Sequence, residues 1–316
     1  MSNKKKIFIL ILLILISCAI SLFWGINKSN IGYFLPRRAI KILAIAISSC
    51  CIGYSSVSFQ TITNNRILTP SVLGLDSLYM FLQTVIVYFF GSRTLSMISG
   101  YTNYFLSIGF MVFFSLILFI VLFLKENRNL YFLILSGIVI GNLFGGMTTF
   151  MQVVLDPNEF LVLQGKMFAS FSNINEELLF ISLLIMVALF FITIKDYNML
   201  DVLSLGKEHA INLGINYKYF VLKNLIVISI LVSVSTALTG PITFLGILVA
   251  SISRELMKTY KHTYRILCSV LIGLFTLIIG QFLVEKVFSF NATTGTIINF
   301  IGGIYFIYLI LKEAKR

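Results

Sequence analysis

Ten apolar stretches limit what this chain can fold into. They lie at residues 7–24, 38–60, 72–90, 103–124, 130–152, 177–194, 218–238, 241–253, 265–284 and 296–311. About 20 apolar residues carry a helix across the hydrocarbon of a bilayer. The eighth run is short and opens on Gly240-Pro241, where a proline suits a helix's first turn because that N–H has no partner anyway. Only 11% of the residues are charged and 58% are hydrophobic, against about 25% and 45–50% in soluble domains. The chain therefore reads as an all-α polytopic membrane protein with about ten transmembrane helices. The first run follows Lys4, Lys5 and Lys6 and ends on Phe23-Trp24. It is too long for the apolar core of a cleaved signal peptide and reads as a retained first helix.

An even number of spans places both termini on one side. Taking that side as cytoplasmic assigns 17 of the 24 Lys and Arg to the inside, among them Lys4–Lys6, Lys125, Arg128, Lys315 and Arg316. The outer side keeps Lys28, Arg37, Arg38, Lys41, Arg93, Lys166 and Lys286. Positive residues favour the cytoplasmic side, so the net charge of +12 is mostly a topology signal. No basic soluble face remains for nucleic acid. Cys18, Cys50, Cys51 and Cys268 sit in apolar runs without metal-ligand spacing, and His209 and His262 lie far apart in polar loops, so no metal site is expected.

One polar segment stands out between the sixth and seventh runs: DVLSLGKEHAINLG, Asp201 to Gly214. Ser204 is placed to cap a helix of about nine residues, and Gly214 to end it in a left-handed turn. Helices shorter than about 12–15 residues are marginal in water, so the bilayer surface, the rest of the chain or a partner must hold this one. In the fifth run, Gly137, Gly141 and Gly145 recur on one helix face, which lets backbones approach closely. Asp76, after Gly74-Leu75, reads as an acid at the start of the third helix, where a carboxylate suits the dipole.

Three segments carry a resemblance. In QTITNNRILTPSVLGLDS, the residues Gln60, Asn65, Pro70, Leu73 and Gly74 match a Gln-x4-Asn-Pro-x3-Pro-x2-Leu-Gly pattern, with Arg66 in place of its first proline. The polar segment matches Leu-Ser-Leu-Gly-x-Glu-x-Ala-x-x-Leu-Gly. GPITFLGILVASISREL matches Gly-Pro-Ile-x-Phe-x-Gly at Gly240, Pro241, Ile242, Phe244 and Gly246. Together they resemble the iron-siderophore and vitamin B12 permease family of ABC importers over about residues 38–316. The wording near Asn65 is most similar to the branch for catecholate siderophores such as petrobactin. Two departures are Val249-Ala250-Ser251 for Val-Pro-His and Gly302-Gly303-Ile304 for Gly-Ala-Pro.

The resemblance implies a type II ABC importer permease fold in one transmembrane domain spanning 1–316, in a bacterial plasma membrane. It implies two ATPase subunits below, an extracytoplasmic binding lipoprotein or periplasmic protein outside, and a second permease subunit, identical or related, all in membrane lipid. The chain has no GxxxxGK[ST] loop, so it is not itself an ATPase, and no cofactor is implied. Residues 201–214 become a coupling helix, with Leu205, Ala210 and Leu213 as apolar contacts, Lys207, Glu208 and His209 as polar ones, and Ser204, Gly206 and Gly214 shaping it. Arg38 and Lys41, with Lys286 on the same rim, are expected to dock the binding protein, the alternative being attachment to lipid headgroups. Asn142, Met147, Thr148, Thr149 and Gln152 are expected to line the pathway. The alternatives are haem or cobalamin import by the same family and a proton-coupled secondary transporter. A membrane-embedded enzyme lacks the clustered polar groups it would need.

Overall fold

The computed structural model describes residues 2–25, 31–97, 100–123, 130–172 and 174–313. In chain order the helices are α1 (Asn3–Phe23), α2 (Ile31–Ile62), α3 (Leu75–Met97), α4 (Gly100–Phe123), α5 (Leu130–Val154), α6 (Pro157–Gln164) and α7 (Glu176–Thr193), with a 3-10 turn at Pro70–Leu73 before α3. They continue as α8 (Asp196–Leu203), α9 (Lys207–Asn212), α10 (Tyr217–Thr239), α11 (Leu245–Met257), α12 (His262–Lys286) and α13 (Thr294–Glu313). Each apolar run forms a helix. Among the described residues, eight helices are long and apolar enough to cross a membrane on their own. The other two are α3, broken at Gly91 (φ 78°), and the 13-residue α11. Of the charges used to orient the chain, Lys28, Lys125, Arg128, Lys315, Arg316 and the side chain of Arg93 lie outside the described residues.

The centre of the bundle is α2, α10, α11 and α12; α1, whose only buried residue is Ile14, packs outside against α12. Lipid tails are as apolar as leucine, so helices are held together by close packing of small residues. Here Ser49 of α2 approaches Gly273 of α12, and Ser56 of α2 approaches Gly246 of α11; a Cβ on either glycine would come within 2.4 Å of the serine oxygen. Each of α1, α4, α5, α7 and α13 exposes several leucine, isoleucine or phenylalanine side chains, as helices facing acyl chains would.

The short α11 starts later than expected. Pro241 is not in its first turn but in the segment ahead of it, after Gly240 at φ 97°. The backbone at Phe168 and Ala169 passes so near that a Cβ on Gly240 would meet the Ala169 Cα at 3.0 Å. Ser170 N donates to Thr239 O at 2.8 Å and Gly295 N to Ala169 O at 2.9 Å, which ties residues 168–170 to the ends of α10 and α13. At the opposite end of the bundle, Lys6 of α1 donates to Leu256 O and Lys312 of α13 pairs with Glu255, so both terminal helices meet the end of α11. The ends of α2 and α11 and the start of α12 also lie here, and so does α8, which packs on α2 and α12.

Candidate functional site

The polar segment folds as two short helices rather than one. Ser204 does not cap α9: it follows α8, and its hydroxyl donates back to Asp201 O at 2.6 Å. Gly206 takes the N-terminal position at φ 111° and ψ 162°, a conformation open essentially to glycine alone. Serine in the sequence signalled a cap, but a reversal this sharp needs a residue without a Cβ. The other end is as expected. Gly214, at φ 85°, donates to Ile211 O, and Ile215 N donates to Ala210 O, which closes the last turn of α9 in a Schellman motif.

Only six residues long, α9 packs on α8 and α10. Ala210 is fully buried against the rest of the chain, so it offers no outward contact. The exposed apolar residues are Leu205 at 62%, Ile211 at 48% and Leu213 at 64%. Lys207, Glu208 and His209 are exposed beside them, with the Lys207 amine over the Tyr217 ring. Ile211 was missed because a helix start at Ser204 shifts the faces of the segment. His262, expected in a loop, opens α12 and is fully buried.

At the same end, the glutamine of the Gln-x4-Asn pattern has a structural task. Gln60 donates to Arg66 O at 2.7 Å and accepts from Arg254 at 2.6 Å, while Asn65 Oδ1 accepts from Ile67 N at 3.0 Å. The loop after α2 is thereby folded against α11. It lines a cavity of about 590 Å³ with Arg66, Arg254, Lys258 and Lys312 against Glu255. The sequence reading did not assemble this basic cluster, whose members come from three distant segments.

At the opposite rim, Arg38 and Lys41, two of the cations expected to dock the binding protein, have partners within the chain. Arg38 donates to the carbonyls of Ser21, Leu22 and Trp24 at 2.8–3.1 Å, closing the C-terminal end of α1. A cation there also complements the helix dipole. Lys41 pairs with Glu285 of α12 at 2.7 Å. Lys286 is exposed, as is Arg37, which stacks on Tyr33. These residues border a cavity of about 520 Å³ together with Glu176 and Phe290.

In α5, Gly141 packs on Gly74, where a Cβ would lie 2.5 Å from the Gly141 Cα and 3.5 Å from the Gly137 O, while a Cβ on Gly145 would meet Ser77 Oγ at 4.0 Å. Asn142, Met147 and Thr149 are exposed on other faces of this helix. Thr148 is buried and donates to Phe144 O, and Gln152 is half-buried near Thr84. Asp76 lies in the first turn of α3 and accepts from Thr243 at 2.8 Å, linking α3 to the turn before α11.

A multi-pass bundle with a broken α3, a half-length α11 and two short helices packed at the terminal end is the architecture of an ABC importer's membrane-spanning permease. A solved metal-chelate type ABC transporter in an inward-facing conformation shares it with a TM-score of 0.84, at 23% identity, over 98% of this chain and 100% of that one. The chain belongs to the FecCD transport family, whose model matches residues 5–312. The petrobactin import system permease protein YclO of Bacillus subtilis (strain 168) is 51% identical over 315 residues, covering 100% of this chain and 99% of that protein. The petrobactin import system permease protein FatC of Bacillus anthracis is 39% identical over 286 residues, covering 89% and 80%. In such a permease, ATP hydrolysis falls to a partner protein.

Proposed function

We propose that this chain is the permease subunit of an ATP-driven importer that carries a ferric siderophore, of the catecholate type, across a bacterial plasma membrane. The single observation that carries the reading is the end-to-end 51% identity to a petrobactin import permease. Both termini face the cytoplasm. Two ATPase subunits dock on that side, and a second permease subunit, identical or related, completes the channel. An extracytoplasmic binding protein delivers the cargo.

On this reading α9 is the coupling helix. Leu205, Ile211 and Leu213 seat it in the ATPase, and Lys207, Glu208 and His209 set its orientation. At the rim, Lys286 and Arg37 are exposed and available to acidic side chains of the binding protein, while Arg38 and Lys41 hold helices of the rim together. Asn142 and Thr149 supply the sparse polar groups of the pathway beside Met147, with Gln152 at its edge.

The experiment is uptake of radiolabelled iron as ferric petrobactin by cells lacking their own petrobactin permeases and expressing this chain with its ATPase and binding protein. Uptake that fails on ATP depletion and persists with a proton uncoupler supports the reading. Uptake of haem or cobalamin instead, or loss with the uncoupler alone, contradicts it.

A further inference from the structure

α9 meets one helix of the bundle's centre, α10. It rests on α8 and α10, and α8 in turn packs on α2, α7 and α12. Displacement of α9 reaches α2 and α12 through α8, beside the route through α10, which itself packs on α2. The α8 helix has only eight residues, with Leu200 and Leu203 buried beneath it. Apolar contacts alone would let it slide.

Two carboxylates prevent that. Asp196, buried in the first turn of α8, holds the Lys223 amine of α10 with both oxygens, at 2.8 and 2.9 Å. Asp201, near its end, accepts at 2.6 Å from both the main-chain N–H and the ring Nδ1–H of His262, the first residue of α12. The other ring nitrogen, Nε2, lies 2.8 Å from Thr61 Oγ1 in the last turn of α2. The proton count leaves two arrangements. Thr61 either donates to Val57 O, at 2.9 Å, and accepts from Nε2–H, or it donates to Nε2. In both, Nδ1–H donates to Asp201, so the chain Asp201–His262–Thr61 persists.

We infer that α8 is the transmission element of the permease, a short bar bolted by Asp196 to α10 and by Asp201 through His262 to α12 and α2, which passes movement of α9 into the spans. Charge-assisted hydrogen bonds are directional and strong, so they carry tension and shear that apolar packing transmits poorly. The inference rests on α9 being the helix the ATPase moves.

The test is the number of ATP molecules hydrolysed per ferric chelate imported, in proteoliposomes holding the full complex with its ATPase and binding protein. A residue that only stabilises the fold lowers the amount of assembled complex but leaves this ratio alone. Asp201→Ala and His262→Ala are each expected to raise it about tenfold. The double variant should be no worse than either single one, since both remove the same link. Asp201→Asn keeps an acceptor for the His262 N–H and is read in place of either variant that does not assemble; it is expected to raise the ratio by less. Leu213→Asp separates the two readings. If it breaks coupling while the Asp201 and His262 variants keep the wild-type ratio, α9 keeps its role and the inference about α8 is overturned. If Leu213→Asp also leaves coupling intact, the reading of α9 itself fails.

Discussion

Single glycines decide how closely this chain can approach itself. Gly74 combines φ 95° with a neighbouring backbone 2.5 Å from where its Cβ would stand, whereas Gly146 on α5 has nothing within 4 Å of that position. Gly74→Ala is therefore expected to lower the thermal midpoint of the purified protein in detergent, and Gly146→Ala to leave it close to wild type. A left-handed conformation costs a non-glycine residue about 1–2 kcal/mol, and the clash with Gly141 adds to it. Equal midpoints for the two variants would show that α3 and α5 do not meet at Gly74. Gly206 poses a different demand. It has open space around it, so Gly206→Ala meets only backbone strain of about 1–3 kcal/mol. That strain falls on the turn between α8 and α9. Normal amounts of folded protein with reduced ATP-linked uptake are the expected outcome, read by membrane quantitation beside the transport assay.

At the scale of elements, the rim opposite α9 divides its cations by task. Arg38 fastens α1 and Lys41 fastens α12 to α2, while Lys286 stands exposed. Lys286→Glu should weaken association of the binding protein and flatten its dependence on salt, because exposed charges act chiefly through steering and orientation. Arg38→Ala should instead loosen α1, seen as faster proteolysis near Trp24, with binding-protein association kept. The reverse pattern would restore the docking role to Arg38. The spans were legible because all but the short run of α11 are apolar stretches on the scale of the bilayer. The short helices between them were less so. α6 is announced by Asp156-Pro157, and Asp156 does accept from Asn158 N at 2.8 Å, yet a helix of eight residues leaves little periodic signal in a loop. α8 was hidden because Asp196 and Asp201 look like loop charges until Lys223 and His262 are brought to them from later in the chain. Ser204 misled for a related reason: a serine before a polar helix is the usual mark of a cap, and nothing local says that its hydroxyl turns back to Asp201.

On the scale of the whole molecule, the fold places the exposed apolar residues of α9 at the end where both terminal helices meet, and the exposed cations Arg37 and Lys286 at the other. A permease that couples to an engine below and a delivery protein above needs that polarity. The family motifs were readable because they sit where backbone geometry permits few substitutes, at Gly206, Gly214 and Gly240, all with positive φ. The outward face of α9 and the basic cavity beside Gln60 were not, since both depend on which side of a helix meets the body of the chain. The most direct test of the account is iron uptake into proteoliposomes that hold the permease complex and its binding protein, with ATP enclosed and the proton gradient collapsed. Accumulation of ferric siderophore that requires the ATPase subunits and disappears in Leu213→Asp is predicted. Accumulation by the permease without ATPase subunits, driven by a proton gradient, would contradict the account.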